Sequence, residues 1–318
     1  MQRASDQGVH LPARVNLPDR AWAVALTVLG ATVLLVAAVI VAELVRVGGP
    51  TLAQTGLAAF VKNSVWDVTR DVYGALPFIY GTLVTSGVAL LLALPVSVGL
   101  ALFLTEMAPP RVRSIVSFPI SLLAGIPSVV YGLWGLFVLV PLLRRPVEPF
   151  LARTHLPLFT GAPIGLGYLA AGIVLAIMIL PTITSIAIEV LRTVPGPLRE
   201  AALALGATRW EAIRTAVIPY ARTGIIGATM LGLGRALGET MAVTMVIGNS
   251  PTIRASLFAP GYTLPAVIAN EFAEASGALQ TGALAALGLL LFAVTVLLNV
   301  AARLLVRMVR RGPARVTA

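Results

Sequence analysis

Long apolar runs alternate with short arginine-bearing stretches along the chain, and six of the runs stand out, at about 21–45, 80–105, 114–141, 165–188, 223–247 and 282–306. A hydrocarbon core of about 30 Å is crossed by roughly 20 apolar residues in a helix, so each run is long enough. Backbone polar groups inside a bilayer must be satisfied within the segment, which for runs of this length means helices. The pattern predicts an all-α polytopic membrane protein with six transmembrane helices. The first run, Ala21 to Ala42, exceeds the apolar region of a secretory leader and no A-x-A site follows it, so it is expected to be an uncleaved anchor.

The polar stretches between runs set the expected orientation. With the N-terminus inside, Arg3, Arg14, Arg20, Arg111, Arg113, Arg192, Arg199, Arg209, Arg214, Arg222, Arg303, Arg307, Arg310, Arg311 and Arg315 fall in the cytoplasm. The other side then receives only Arg46, Lys62, Arg70, Arg144, Arg145, Arg153 and Arg254. This asymmetry predicts cytoplasmic N- and C-termini. The expected organisation is a cytoplasmic segment 1–20, a transmembrane domain 21–308 with an internal loop at about 194–219, and a basic cytoplasmic tail 309–318. The segments 47–79, 142–164 and 248–281 remain as external connections, the last containing the turn formers Pro251, Pro260-Gly261 and Pro265.

Composition narrows the function classes. Hydrophobic residues make up 58% of the chain and charged residues 11%, with a mean hydropathy of +0.94. The net charge of +10 is scattered between apolar runs rather than gathered on a soluble face, which argues against nucleic acid as a partner. The sequence has no cysteine, which excludes disulfides, iron–sulfur clusters and thiol catalysis. Lys62 is the only lysine and follows no glycine-rich loop, so a Walker A site is excluded and any driving ATP must bind another subunit. His10 and His155 lack metal-ligand spacing.

Two stretches carry candidate chemistry. In Gly232-Leu-Gly-Arg-Ala-Leu-Gly-Glu-Thr-Met-Ala-Val243, Arg235 and Glu239 interrupt an apolar run. On a continuous helix, residues four apart share a face and can pair. A central charge costs roughly 2.5–3.5 kcal/mol on insertion scales, so this face is expected to turn from lipid into the bundle or a wet cavity. Two roles compete there: a self-neutralised clasp that orients the helix, or a guanidinium fork that meets a passing oxyanion.

The second stretch is the internal loop. Pro197 suits a first helical turn, Glu200-Ala201-Ala202 favour helix, and Gly206 is placed to end it with positive φ. Thr208 and Glu211 then form a T-x-x-E capping box, and Trp210, Ile213 and Val217 fall on one face before Pro219, where the second helix is expected to stop. An interfacial helix packed on its own bundle and a docking element for a partner both fit this pattern.

Glu200-Ala201-Ala202, Gly206 and Pro219 resemble the EAA loop of ABC-importer permeases, with Ala216 and Ile218 replacing the usual Ile and Leu. The stretch at 232–243 resembles the signature of phosphate-specific ABC permeases, and further segments match the PstC type. These are Gly81-Thr-Leu-Val-Thr-Ser86, Leu123-Ala-Gly-Ile-Pro-Ser-Val-Val-Tyr-Gly-Leu-Trp-Gly135, Ser256-Leu-Phe-Ala-Pro-Gly261 and Ile268-Ala-Asn-Glu-Phe-Ala-Glu274. The similarity runs from about residue 75 to 306.

The resemblance implies a transport subunit without covalent chemistry or a bound cofactor, importing phosphate across the bacterial cytoplasmic membrane by alternating access. ATP and Mg would sit on a dimer of PstB-like ATPase subunits, a PstA-like permease would complete the pathway, and a PstS-like protein would deliver phosphate. It places Arg235, Glu239 and Thr240 in the substrate pathway, and Glu200, Ala201, Ala202 and Gly206 at the ATPase contact. Molybdate or sulfate import remains open, because an arginine does not distinguish these anions by charge. An ion-coupled secondary transporter is disfavoured, since Glu239 is the single carboxylate deep in a run and no inverted repeat of broken helices is evident.

Overall fold

A computed structural model describes residues 17–310. His10, Arg3, Arg14, Arg311 and Arg315, and most of the two expected terminal segments, lie outside the described residues. Helices dominate: α1 Leu17–Thr55, α2 Leu57–Lys62, α3 Leu76–Met107, α4 Pro110–Gly125, α5 Ser128–Ala152, α6 Tyr168–Arg192, α7 Gly196–Ala204, α8 Arg209–Gly238, α9 Met241–Val246, α10 Leu264–Glu271 and α11 Ala278–Arg310. A two-residue hairpin pairs β1, Trp66–Asp67, with β2, Val72–Tyr73. Six of these helices, α1, α3, α5, α6, α8 and α11, are long and apolar enough to cross a membrane.

Two apolar runs do not become the single spans the sequence suggests. The run at 114–141 is split: α4 ends at Gly125, Ile126 turns extended at φ −72° and ψ 130°, and α5 starts after Pro127. A proline pushes its predecessor out of the helical region, and here it does so inside an unbroken apolar stretch. The Tyr131 hydroxyl donates to the Leu123 carbonyl at 2.7 Å and so satisfies a backbone group at the break. Because α5 runs on to Ala152, Arg144 and Arg145 belong to a helix rather than to a loop at 142–164.

The run at 223–247 is also split. α8 ends at Gly238, Glu239 is extended at φ −71° and ψ 127°, and α9 follows after Thr240. At its other end α8 starts at Arg209, so the expected amphipathic helix and the fifth span are one helix that passes through Pro219. The accommodation lies in the preceding turn. Residues 213–217 form a widened π turn in which the Ile218 N–H reaches back five residues to the Ile213 carbonyl. Proline lacks an N–H and its ring crowds the carbonyl four residues back, and a wider turn relieves that crowding. The π turns at 103–107, 135–139 and 143–147 likewise lie within two residues of Pro109, Pro141 and Pro146.

The core sits around α6, whose most apolar stretch is 61% buried, against 0% for that of α1. α3 lies along α6, with the Ser97 hydroxyl donating to the Leu180 carbonyl at 3.2 Å. α8 crosses on another side at Gly232, where an added Cβ would come within 2.5 Å of the Ile183 side chain; only glycine permits this approach. At one end of the bundle Leu102, Leu191, Val194, Ile213 and Val217 form one buried cluster. At the other, Trp66, Phe78 and Tyr262 stack edge to face at 5.0 and 5.5 Å. There Trp66 Nε1 donates to Glu271 at 2.9 Å, and burial holds the Glu271 carboxyl above its ordinary value. Burial, with the neighbouring Asp71 carboxylate second, pushes Tyr73 up to about 12. The segment 248–281 is therefore a packed unit carrying α10.

Candidate functional site

Arg235 occupies the last turn of α8, close to the carbonyl end that attracts a cation. Its side chain is exposed on the isolated chain, and Nη1 donates to Thr182 Oγ1 at 3.2 Å. Thr182 follows Pro181 on α6, so two different spans meet at this contact.

Glu239 does not join Arg235. Among the described residues no ion pair links them, because the helix ends between them and the shared-face geometry of residues four apart is lost. Glu239, half-buried, instead accepts from the Ala242 backbone N–H at 3.3 Å, at the start of α9. Thr240 donates to the Gly238 carbonyl at 3.3 Å. The clasp is thus absent from this conformation. A guanidinium has five N–H donors, and a single neutral hydroxyl leaves most of that fork available to an oxyanion. Thr182 carries little signal in the sequence beyond being a threonine beside a mid-span proline.

The loop at 194–219 folds largely as its local signals demand. α7 ends in paired backbone bonds, Gly206 N–H to Leu203 and Ala207 N–H to Ala202, with Gly206 at φ 86°. The capping box is formed: Thr208 N–H donates to Glu211 at 2.7 Å and the Glu211 N–H to Thr208 Oγ1 at 3.3 Å. Ile213 and Val217 are buried as expected, but Trp210, one turn earlier, is 59% exposed and does not share their buried face. α7 itself buries no residue, and Leu203 and Leu205 beside it are open, Leu205 at 90%. Glu200, Ala201 and Gly206 are exposed and Ala202 half-buried on the same element.

A further pair anchors this element. Arg199 donates from Nε and Nη2 to the two carboxylate oxygens of Glu106 at 2.9 and 2.7 Å. It also donates to the Val194 and Leu191 carbonyls at 2.6 and 3.1 Å. Glu106 belongs to the π turn that ends α3, and neither residue was singled out from sequence.

Comparison with known proteins places this architecture. Residues 93–311 match the model of the family described as "Binding-protein-dependent transport system inner membrane component". The "Phosphate transport system permease protein PstC" of Mesorhizobium japonicum is 51% identical over 251 residues, 77% of each chain. "Phosphate transport system permease protein PstC 2" of Mycobacterium tuberculosis is 41% identical over 302 residues, 92% of each. Among solved structures, a bacterial alginate ABC transporter superposes with a TM-score of 0.61 at 16% identity, covering 92% of this chain and 96% of that one. The MetNI methionine ABC transporter does so with a TM-score of 0.57 at 19% identity, over 73% and 94%. At such identities these two likenesses establish the fold. Six apolar helices and the family match make this a multi-pass protein of the cytoplasmic membrane. The chain belongs to the binding-protein-dependent transport inner membrane components, in their PstC branch.

Proposed function

We propose that this chain is one permease subunit of an ATP-driven importer of inorganic phosphate, with Arg235 as its principal anion contact. The observation that carries this reading is the open guanidinium of Arg235, held by a neutral hydroxyl on a neighbouring span instead of by a carboxylate. A fully neutralised arginine would bind an oxyanion weakly; one whose hydrogen-bond partner among the described residues is Thr182 keeps its charge and most of its donors. Glu239 and Thr240, at the break beside it, complete the proposed pathway lining. Movement at that break changes the distance between Glu239 and Arg235, so approach of the carboxylate would weaken anion binding and favour release.

ATP hydrolysis belongs in this reading to separate PstB-like subunits carrying ATP and Mg. The surface offered to them is α7 and its glycine turn, with Glu200, Ala201, Ala202 and Gly206 at the contact. Its open leucines and Trp210 suit an apolar cleft on a partner. The arginine asymmetry supports a cytoplasmic location for this element and both termini. A PstA-like permease and a PstS-like binding protein complete the machine, the latter meeting the end built from Trp66, Tyr262 and α10.

The test is uptake of labelled phosphate by vesicles containing the assembled importer, with sulfate and molybdate as competitors. ATP-dependent uptake that excess sulfate and molybdate leave unchanged is expected. Uptake of sulfate or molybdate in preference to phosphate would overturn the phosphate assignment, and uptake without ATP would overturn the importer class.

A further inference from the structure

The coupling element meets the membrane body with little buried packing. α7 buries no side chain, and a cavity of about 250 Å³, lined by Glu106, Arg199, Leu203, Ile213 and Val217, lies between it and the start of α8. Packing therefore does little to fix α7. Arg199 does more: its four hydrogen bonds tie α7 to the end of α3 through Glu106, to the end of α6 through the Leu191 carbonyl, and to the turn between α6 and α7 through the Val194 carbonyl. The pair is largely enclosed, with side-chain exposures of 26% for Arg199 and 9% for Glu106. Two parallel N–H···O bonds fix orientation as well as distance, so a displaced α7 must carry α3 and α6 with it.

We propose that the Arg199–Glu106 pair is the latch that converts movement of the coupling element into movement of α3 and α6. Resting on the reading of α7 as the ATPase contact, it assigns Arg199 and Glu106 as positioning residues for transport. Neither touches the anion. α6 also carries Thr182, and so the latch has a direct line to the Arg235 contact.

The latch is tested in the complete importer in proteoliposomes, measuring inorganic phosphate uptake and ATP hydrolysis together. Glu106→Gln keeps the side-chain shape and removes the charge. Phosphate moved per ATP is expected to fall about tenfold while the complex stays assembled and still hydrolyses ATP. The exchanged variant, Glu106→Arg with Arg199→Glu, is expected to recover most of that ratio. An unchanged ratio in assembled Glu106→Gln overturns the latch, and so does a proportional loss of uptake and hydrolysis, which marks a purely structural tie. If Glu106→Gln does not assemble, Glu106→Asp decides: it keeps the charge and shortens the reach, so a lowered ratio supports the latch and a normal one overturns it. Failure of the unaltered importer to move phosphate at all would strike the phosphate reading instead.

Discussion

Arg199 and Arg235 are the same side chain in opposite circumstances. Arg199 spends its donors on a carboxylate and two carbonyls and is mostly enclosed; Arg235 meets one threonine hydroxyl and stands open. A saturated guanidinium has little left for a ligand and acts as a joint. An unsaturated one held in place by a neutral group acts as a receptor. In the proposed function the difference separates a mechanical from a ligand-binding arginine, in a chain whose sequence shows both simply as charges beside apolar runs.

The sharpest way to break this comparison is to remove each arginine in turn. Arg235→Ala is expected to lower phosphate uptake by about a thousandfold while leaving the complex assembled, since an oxyanion loses its chief donor. Wild-type uptake by the assembled variant would end the receptor assignment. Arg199→Ala leaves Glu106 enclosed without its partner, and the expected loss is about 3 kcal/mol of stability, read as a lower Tm of the detergent-solubilised complex. A melting curve unmoved by Arg199→Ala would show the joint to be dispensable to the fold.

Smaller effects sharpen the picture around these two. Gly206 sits at φ 86° with open space around its Cα, so strain and not crowding governs substitution there. Gly206→Ala is expected to cost about 1 kcal/mol and Gly206→Asn distinctly less, which paired melting curves will resolve. At the opposite end, partial burial raises the Glu271 carboxyl above its ordinary value of 4.5. Its contribution to stability is therefore present below about pH 4.5 and is lost as pH rises through the raised value. Glu271→Gln keeps an acceptor for Trp66 and is expected to change stability at low pH by under about 0.5 kcal/mol while flattening this dependence. Hydrogen exchange at Trp66 Nε1 between pH 4 and pH 7, with and without the substitution, measures it.

What the sequence makes legible here is what depends on neighbours. The glycine turn at Gly206 and the Thr208–Glu211 box are local, and both form as read. Span existence is legible too, because apolar length is a bulk property. Span continuity is not: hydropathy treats Ile126-Pro127 and Glu239-Thr240 as interior to their runs, although the backbone leaves the helix at both. The loss matters at the site, where the shared face of Arg235 and Glu239 depends on a helix that ends at Gly238. Arg199 and Glu106 are 93 residues apart, and nothing in either neighbourhood points to the other. Thr182 is hidden in the same way, 53 residues from Arg235.

The widened turn at 213–217 gives α8 a spare residue between its coupling end and its charged end. Passing one residue out of such a turn restores ordinary helix geometry and swings everything beyond it by about 100° while advancing it about 1.5 Å. In the proposed function, loss of that spare residue would turn the Arg235 guanidinium about the α8 axis rather than slide it along α6.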